Sequence, residues 1–249
     1  MCFDTDSEPP IPHIAGAAVS HDTLTIRAAD GNELAAFLAA PDGGTATGVV
    51  IFPDVRGLYH FYEELALRFA ERGHAALAID YFGRTAGVGT RADDFEYPPH
   101  VDETTNDGVQ ADARAAVERL RANGVSSVFS VGFCFGGRAS WIAAASGHGL
   151  AGSIGFYGSS TRQRGGPSVI ELIDSIECPI LALQAGDDQG ISADDNAAFD
   201  QALTGAGVEH ELVVYDGAPH SFFDRKQAEF ADASDDAWRR TLAFIDANA

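Results

Sequence analysis

The amino-acid sequence predicts an α/β protein in three layers, a mainly parallel sheet with helices on both faces. Three observations predict it. Strand-like and helix-like segments alternate without a break from residue 48 onward, the rhythm of strand–helix–strand crossovers. Segments such as "GVVIFPD" (48–54) and "HAALAID" (74–80) are short, continuous apolar runs, as strands covered on both faces require. Neither a repeat nor a linker-like stretch interrupts the pattern, so residues 17–249 are expected to form one domain behind an irregular leader, residues 1–16.

The elements follow in order. "AAVSHDTLTIRA" and "NELAAFLAAP" flank an Asp30-Gly31 turn and read as an antiparallel hairpin. After the strand at 48–54, "FYEELALRFAERG" (61–73) has helical spacing and closes on Gly73. The strand at 74–80 leads into residues 81–103, rich in Gly, Pro and Asp and read as a loop. Residues 104–124 form a helix, again closed by glycine. "SSVFSVGF" (126–133) is a strand and "GGRASWIAAAS" a helix; "GLAGSIGFYG" (149–158) is a strand followed by a loop, "TRQRGGPS", and a short helix. "PILALQAG" (179–186) is a strand, "SADDNAAFDQALTGAG" a helix, "EHELVVYDG" a strand, and the tail "DASDDAWRRTLAFIDANA" a helix.

Composition excludes several functions. The 249 residues hold 16 basic and 37 acidic side chains, a net charge of −21, and Lys226 is the single lysine. A surface this acidic repels phosphate backbones and anionic lipid, so neither nucleic acid nor a membrane is an expected partner. Three scattered cysteines, Cys2, Cys134 and Cys178, make neither a disulfide framework nor a zinc-site spacing. "MCFDTDSEPPIPHIAG" lacks the basic start and apolar core of a signal peptide. The expectation is a reduced, cytoplasmic protein, a monomer or small homo-oligomer, that needs no metal or organic cofactor.

One stretch carries chemistry. In "VGFCFGG" the sequence Gly132-Phe133-Cys134-Phe135-Gly136 falls where a strand gives way to a helix, the arrangement of a nucleophile elbow. The turn is too tight for side chains two residues either side of the nucleophile, hence the glycines. The helix then aims its amide N–H groups at the sulfur and favours thiolate. A nucleophile needs a base and the base an orienting acid, in this architecture in the chain order nucleophile, acid, histidine. "LALQAGDDQG" and "VVYDGAPHSFFDR" each end a strand and present the partners. Asp188 is the expected acid, with Asp187 the alternative, and His220 is the expected base. The backbone amides of Phe135 and of Val55, in "PDVRG", are the expected oxyanion donors. Phe135, Tyr59, Tyr81, Phe82 and Phe222 either wall a small pocket or belong to the core, the latter favoured for Phe222 and Tyr81.

With these residues assembled, the chain resembles the dienelactone hydrolase family, a branch of the α/β-hydrolase fold with a Cys-Asp-His triad. The resemblance runs from about residue 20 through "GVVIFPDVRGL", "HAALAIDYFGR", "VGFCFGG", "LQAGDDQG" and "GAPHSFFDR". It implies cleavage of a small lactone or ester, of dienelactone type, through a thioester-type acyl-enzyme. It implies that Asp54 stands where the family's acidic residue meets the resting nucleophile, one methylene shorter than the usual glutamate. It further implies that Arg84 grips a substrate carboxylate. The family's second arginine falls at Asp224, with Arg225 one place later, and Arg56 is the substitute. A general carboxylesterase or thioesterase, and a non-catalytic thiol sensor of the same fold, are the competing readings.

Overall fold

The computed structural model describes residues 3–4, 6–92 and 94–249; Cys2 lies outside them. Its centre is an eight-stranded sheet in the order β1-β2-β4-β3-β5-β6-β7-β8. β1 (Val19–Arg27) and β2 (Glu33–Pro41) make the expected antiparallel hairpin, and β2 pairs antiparallel with β4 (Ala75–Ile79). β4, β3 (Thr47–Phe52), β5 (Ser127–Phe133), β6 (Gly152–Phe156), β7 (Ile180–Asp187) and β8 (His210–Pro219) then run parallel.

The apolar runs are strands covered on both faces. Along β3, Val49 and Ile51 join one apolar cluster and Val50 and Phe52 the other, the two-residue alternation of a pleated strand. The first cluster receives α1 (His60–Ala70) and α7 (Ala231–Asn248) through Leu65, Phe69, Trp238 and Ile245. The opposite face is covered by α4 (Asn106–Ala122), α5 (Phe135–Ala144) and α6 (Ala193–Ala206). Caps fix two of these helices. The Thr105 hydroxyl accepts from Gly108 N–H at 3.1 Å, and Ser192 with Asp195 forms a reciprocal capping box on α6.

One expectation changes. Residues 81–103 are not all loop: α2 (Gly83–Ala86) and α3 (Tyr97–Glu103) lie within them. Pro98 and Pro99 sit in the first turn of α3, where a missing N–H is harmless, so prolines that read as breakers start a helix. The leader carries neither helix nor strand among its described residues, yet it is part of the packing. Phe3 and Ile11 are buried, and Phe3 stacks on Phe61 with ring centroids 4.1 Å apart. No helix among the described residues is long and apolar enough to cross a membrane.

Trp141 of α5 is fully buried and packs on Phe199 of α6 at 4.8 Å. Replacing Trp141 with alanine is expected to lower the unfolding free energy by about 3–5 kcal/mol, as read from the midpoint of urea denaturation at unchanged slope.

Candidate active site

The site begins with a backbone constraint. Cys134 links β5 to α5 with φ 55° and ψ −113°, a conformation costly for any residue with a β-carbon. Surrounding packing enforces it. A β-carbon on Gly132 would lie 1.9 Å from the Gly136 carbonyl oxygen, and one on Gly136 would lie 2.1 Å from that of Phe52. The first glycine therefore lets the turn close on itself, and the second lets α5 start against the end of β3. The Cys134 amide donates to the Phe156 carbonyl at 3.0 Å, tying the turn to β6.

The partners arrive by strand register. A β-bulge between Ala185 and Asp187 shifts the β7–β8 pairing so that Asp187 stands opposite Pro219, with Gly217 at φ 72° taking up the bend. The residues that follow the two strand ends are Asp188 and His220. His220 Nδ1–H donates to Asp188 Oδ2 at 2.6 Å, and the ring also hydrogen-bonds to Cys134. Asp187, by contrast, is exposed. Among the described residues the geometry therefore favours Asp188 over Asp187 as partner of the histidine.

Electrostatics follow from these contacts. Burial pulls the His220 pKa down, but hydrogen bonds to Asp188 and Cys134 and their charges outweigh it and raise the value to about 9. Asp188 is also burdened by burial; the His220 hydrogen bond, the Gly190 amide at 2.8 Å and the histidine charge nevertheless hold its carboxyl below the usual range. The loop carrying His220 is pinned from several sides. Gln227 Nε2 donates to the Ser221 carbonyl at 2.7 Å, Ser234 Oγ to that of Phe222 at 3.0 Å, and leader residue Ser7 to Asp224 Oδ2 at 2.7 Å.

The loop after β3 lies opposite. Its amides at Asp54, Arg56, Gly57 and Leu58 donate to Tyr62 Oη, Asp54 Oδ1, the Asp54 carbonyl and Asp80 Oδ1 respectively. Those four bonds bracket Val55, which lines the cleft together with Phe135 and Cys134. The cleft has a volume of about 870 Å³. Its aromatic walls are Phe3, Tyr97, Phe135 and Tyr157, and the Tyr157 ring lies 5.0 Å from that of His220. Of the five aromatics singled out in the sequence, only Phe135 is among them; Tyr59, Tyr81, Phe82 and Phe222 are buried in the core.

Two residues expected at the site, Arg84 and Asp54, are placed elsewhere. Arg84 turns from the cleft and pairs with buried Asp112 at 2.7 Å and with Asp30 at 2.6 Å, joining α2 to α4 and the β1–β2 turn. Asp54 is buried and takes Arg56 Nη2 at 3.0 Å and Tyr59 Oη at 3.3 Å; its carboxylate organises its own loop and does not line the cleft. Arg56 does line it, its guanidinium 4.2 Å above the Tyr59 ring, but its charge is spent on Asp54. Arg225 is half exposed and pairs with Glu8 of the leader. Arg138, Arg162 and Arg164 also line the cleft, and the sequence reading missed them. Arg138 lies four residues after Cys134, one helical turn on, and the other two stand in "TRQRGGPS" at the carboxyl edge of β6; both signals were present in the sequence.

A mainly parallel sheet flanked by helices, with a strained strand-to-helix turn at the centre of its carboxyl edge, defines an α/β-hydrolase. The profile of the dienelactone hydrolase family matches residues 34–248. The chain belongs to that family and is a hydrolase of carboxylic esters acting on a small molecule. It is 28% identical over 263 residues to a carboxymethylenebutenolidase of Rhodococcus opacus, covering 99% of this chain and 96% of the relative. It is 29% identical over 252 residues to a candidate carboxymethylenebutenolidase of Saccharolobus solfataricus, covering 87% and 95%. The crystal structure of a candidate dienelactone hydrolase from Klebsiella pneumoniae superposes with a TM-score of 0.81 at 24% identity, covering 92% of this chain and 98% of that one.

Two outcomes follow from the geometry. Asp188→Asn removes the strongest support for a protonated ring, so the His220 titration midpoint, followed by NMR of the imidazole protons, is expected to fall below the wild-type value of about 9. Arg84→Met leaves Asp112 buried without its cation. Its melting curve is expected to show a loss of about 3 kcal/mol, while kcat/KM stays within about twofold because the side chain does not line the cleft.

Proposed function

We propose that the protein is a cysteine hydrolase cleaving a lactone or carboxylic ester through an acyl-enzyme, with Cys134 as nucleophile, His220 as base and Asp188 as orienting acid. The observation that carries this reading is the continuous hydrogen-bonded line from Asp188 through His220 to Cys134 at the wall of the cleft. A histidine held protonated near neutral pH beside a sulfur supports a thiolate–imidazolium pair. A thiolate is the reactive form of cysteine.

The mechanism proceeds from that pair. The thiolate attacks the carbonyl, and the amides of Phe135 and Val55 hold the oxyanion, each worth about 3 kcal/mol in comparable sites. His220 protonates the departing alkoxide or enolate and then activates water to cleave the thioester. The α5 N-terminus adds its positive end to the stabilisation of negative charge on sulfur. A broader ester scope, in place of dienelactone alone, is favoured by two observations: the cleft exceeds the volume of one small lactone, and Arg84 stands outside it.

Cys134→Ala is expected to lower kcat/KM for an aryl ester by at least about 10³-fold while the protein still folds. Wild-type enzyme mixed with an aryl ester should show a burst of phenol equal to the enzyme concentration and an acyl adduct on Cys134 by mass spectrometry. Undiminished turnover by the alanine variant would refute the assignment, and comparison of dienelactone with aryl esters ranks the two substrate classes.

A further inference from the structure

The loop after β3 is gripped by the end of β4. Asp80 and Tyr81 are consecutive and both buried, and they hold opposite ends of residues 53–58. Asp80 Oδ1 accepts from the Leu58 amide at 3.2 Å. Tyr81 Oη donates to the Pro53 carbonyl at 2.8 Å and also meets the Asp54 carbonyl. A phenol has one proton to give, so the two carbonyls share it. From α1, Tyr62 Oη accepts from the Asp54 amide at 2.8 Å. The Gly57 amide closes a turn onto the Asp54 carbonyl at 3.1 Å.

The Asp54 carbonyl and the Val55 N–H belong to one peptide unit. That unit is trans and planar, so its oxygen and its hydrogen point in opposite directions. Holding the oxygen on Tyr81 and Gly57 therefore fixes the direction of the Val55 N–H. Among the described residues that N–H has no acceptor. A hydrogen bond to the carbonyl also polarises the peptide and strengthens its N–H as a donor.

The same side chain reaches the other expected oxyanion donor. The Tyr81 ring lies 5.1 Å from that of Phe135, the residue that opens α5. The two donor segments also touch one another. A β-carbon on Gly136 would lie 2.2 Å from the Pro53 carbonyl oxygen, the oxygen to which Tyr81 donates. Val55, Phe135 and Cys134 line the cleft and Tyr81 does not. At 1% exposure its hydroxyl acts on the loop and not on substrate.

We propose that Tyr81 is a positioning residue of the oxyanion hole: its hydroxyl sets the Val55 peptide so that the N–H meets the developing oxyanion, and its ring braces Phe135. The proposal rests on the acyl-enzyme reading above, in which those two amides are the donors. It makes Tyr81 count in the transition state and little in the ground state, because the charge that the amide meets develops only as the carbonyl becomes tetrahedral.

Tyr81→Phe keeps the ring and removes the hydroxyl. For phenyl acetate, kcat and kcat/KM are expected to fall together by about 10–10²-fold, less than the loss of a donor itself, with KM within about twofold. Two probes separate the hole from the nucleophile. Trifluoroacetophenone accepts the thiolate at its carbonyl carbon: a C–S bond forms, the carbonyl π pair becomes an oxyanion, and nothing leaves. Its affinity should weaken at least about tenfold in the variant. Iodoacetamide alkylates the same sulfur with loss of iodide and makes no oxyanion, so its rate should stay within about twofold and keep its pH dependence. Turnover or ketone affinity equal to that of the wild type overturns the proposal, as does an alkylation rate that falls in parallel. If phenyl acetate is not hydrolysed, ketone affinity decides, and a wild-type protein that binds no ketone overturns the hole. Turnover that survives in Cys134→Ala removes the nucleophile assignment instead. In that background a further loss on adding Tyr81→Phe supports the positioning role, and no loss overturns it.

Discussion

The structure depends on one close backbone contact, the seating of the α5 start against the end of β3. Gly136 passes so near the Phe52 and Pro53 carbonyls that no β-carbon fits between them. Only with that gap closed can Cys134 be held at φ 55°, and only then does its sulfur stand clear of the sheet. The strain is local, of order 1–3 kcal/mol for such a residue. It is sustained by the sheet around it, since β3, β5 and β6 are packed on both faces and α5 is anchored by Trp141 and its neighbours. A rigid sheet thus supports a strained turn, and the turn presents the thiol.

The same economy of backbone geometry brings in the other two members of the proposed triad. The β7–β8 bulge puts Asp187 opposite Pro219, so that the following residues, Asp188 and His220, face one another. A pairing shifted by one residue would exchange the faces of the side chains and would offer the histidine a different acid. The leader contributes from outside the sheet. Ser7 holds Asp224, Glu8 accepts from the Arg225 amide at 2.9 Å, and Phe3 both fills the core beside Phe61 and lines the cleft. A segment without secondary structure therefore helps to fix the loop on which the base sits.

The arginines show where side-chain reasoning from sequence fails. Arg84 closes "DYFGR" at the carboxyl edge of β4, the right edge of the sheet for chemistry, yet its guanidinium is captured by Asp112, fully buried on α4. Asp112 is 28 positions away in the chain, and nothing in the local sequence marks it as a partner. Asp54 is lost in the same way, to Arg56 two residues on and to Tyr59. A long flexible cation goes to the best available carboxylate, and which one is within reach is decided by packing. Arg138 is the converse: among the described residues no carboxylate pairs with it, and its guanidinium donates to the Arg162 and Pro167 carbonyls and to Asn106 Oδ1.

What the sequence determined by itself is what depends on short-range pattern. Apolar runs and helical spacing specify the parallel sheet and its two helical layers, because burial on both faces demands continuous hydrophobicity. The glycines flanking Cys134 specify the turn, because steric collision acts over a few residues. The chain order of Cys134, Asp188 and His220 specifies which loops meet, since every parallel strand ends on the same edge. Tertiary structure alone decided the pairing of long charged side chains, the helices hidden in 81–103, the docking of the leader and the lining of the cleft. Most of those outcomes are set by contacts between residues tens to hundreds of positions apart, whose distances exist only once the chain has closed.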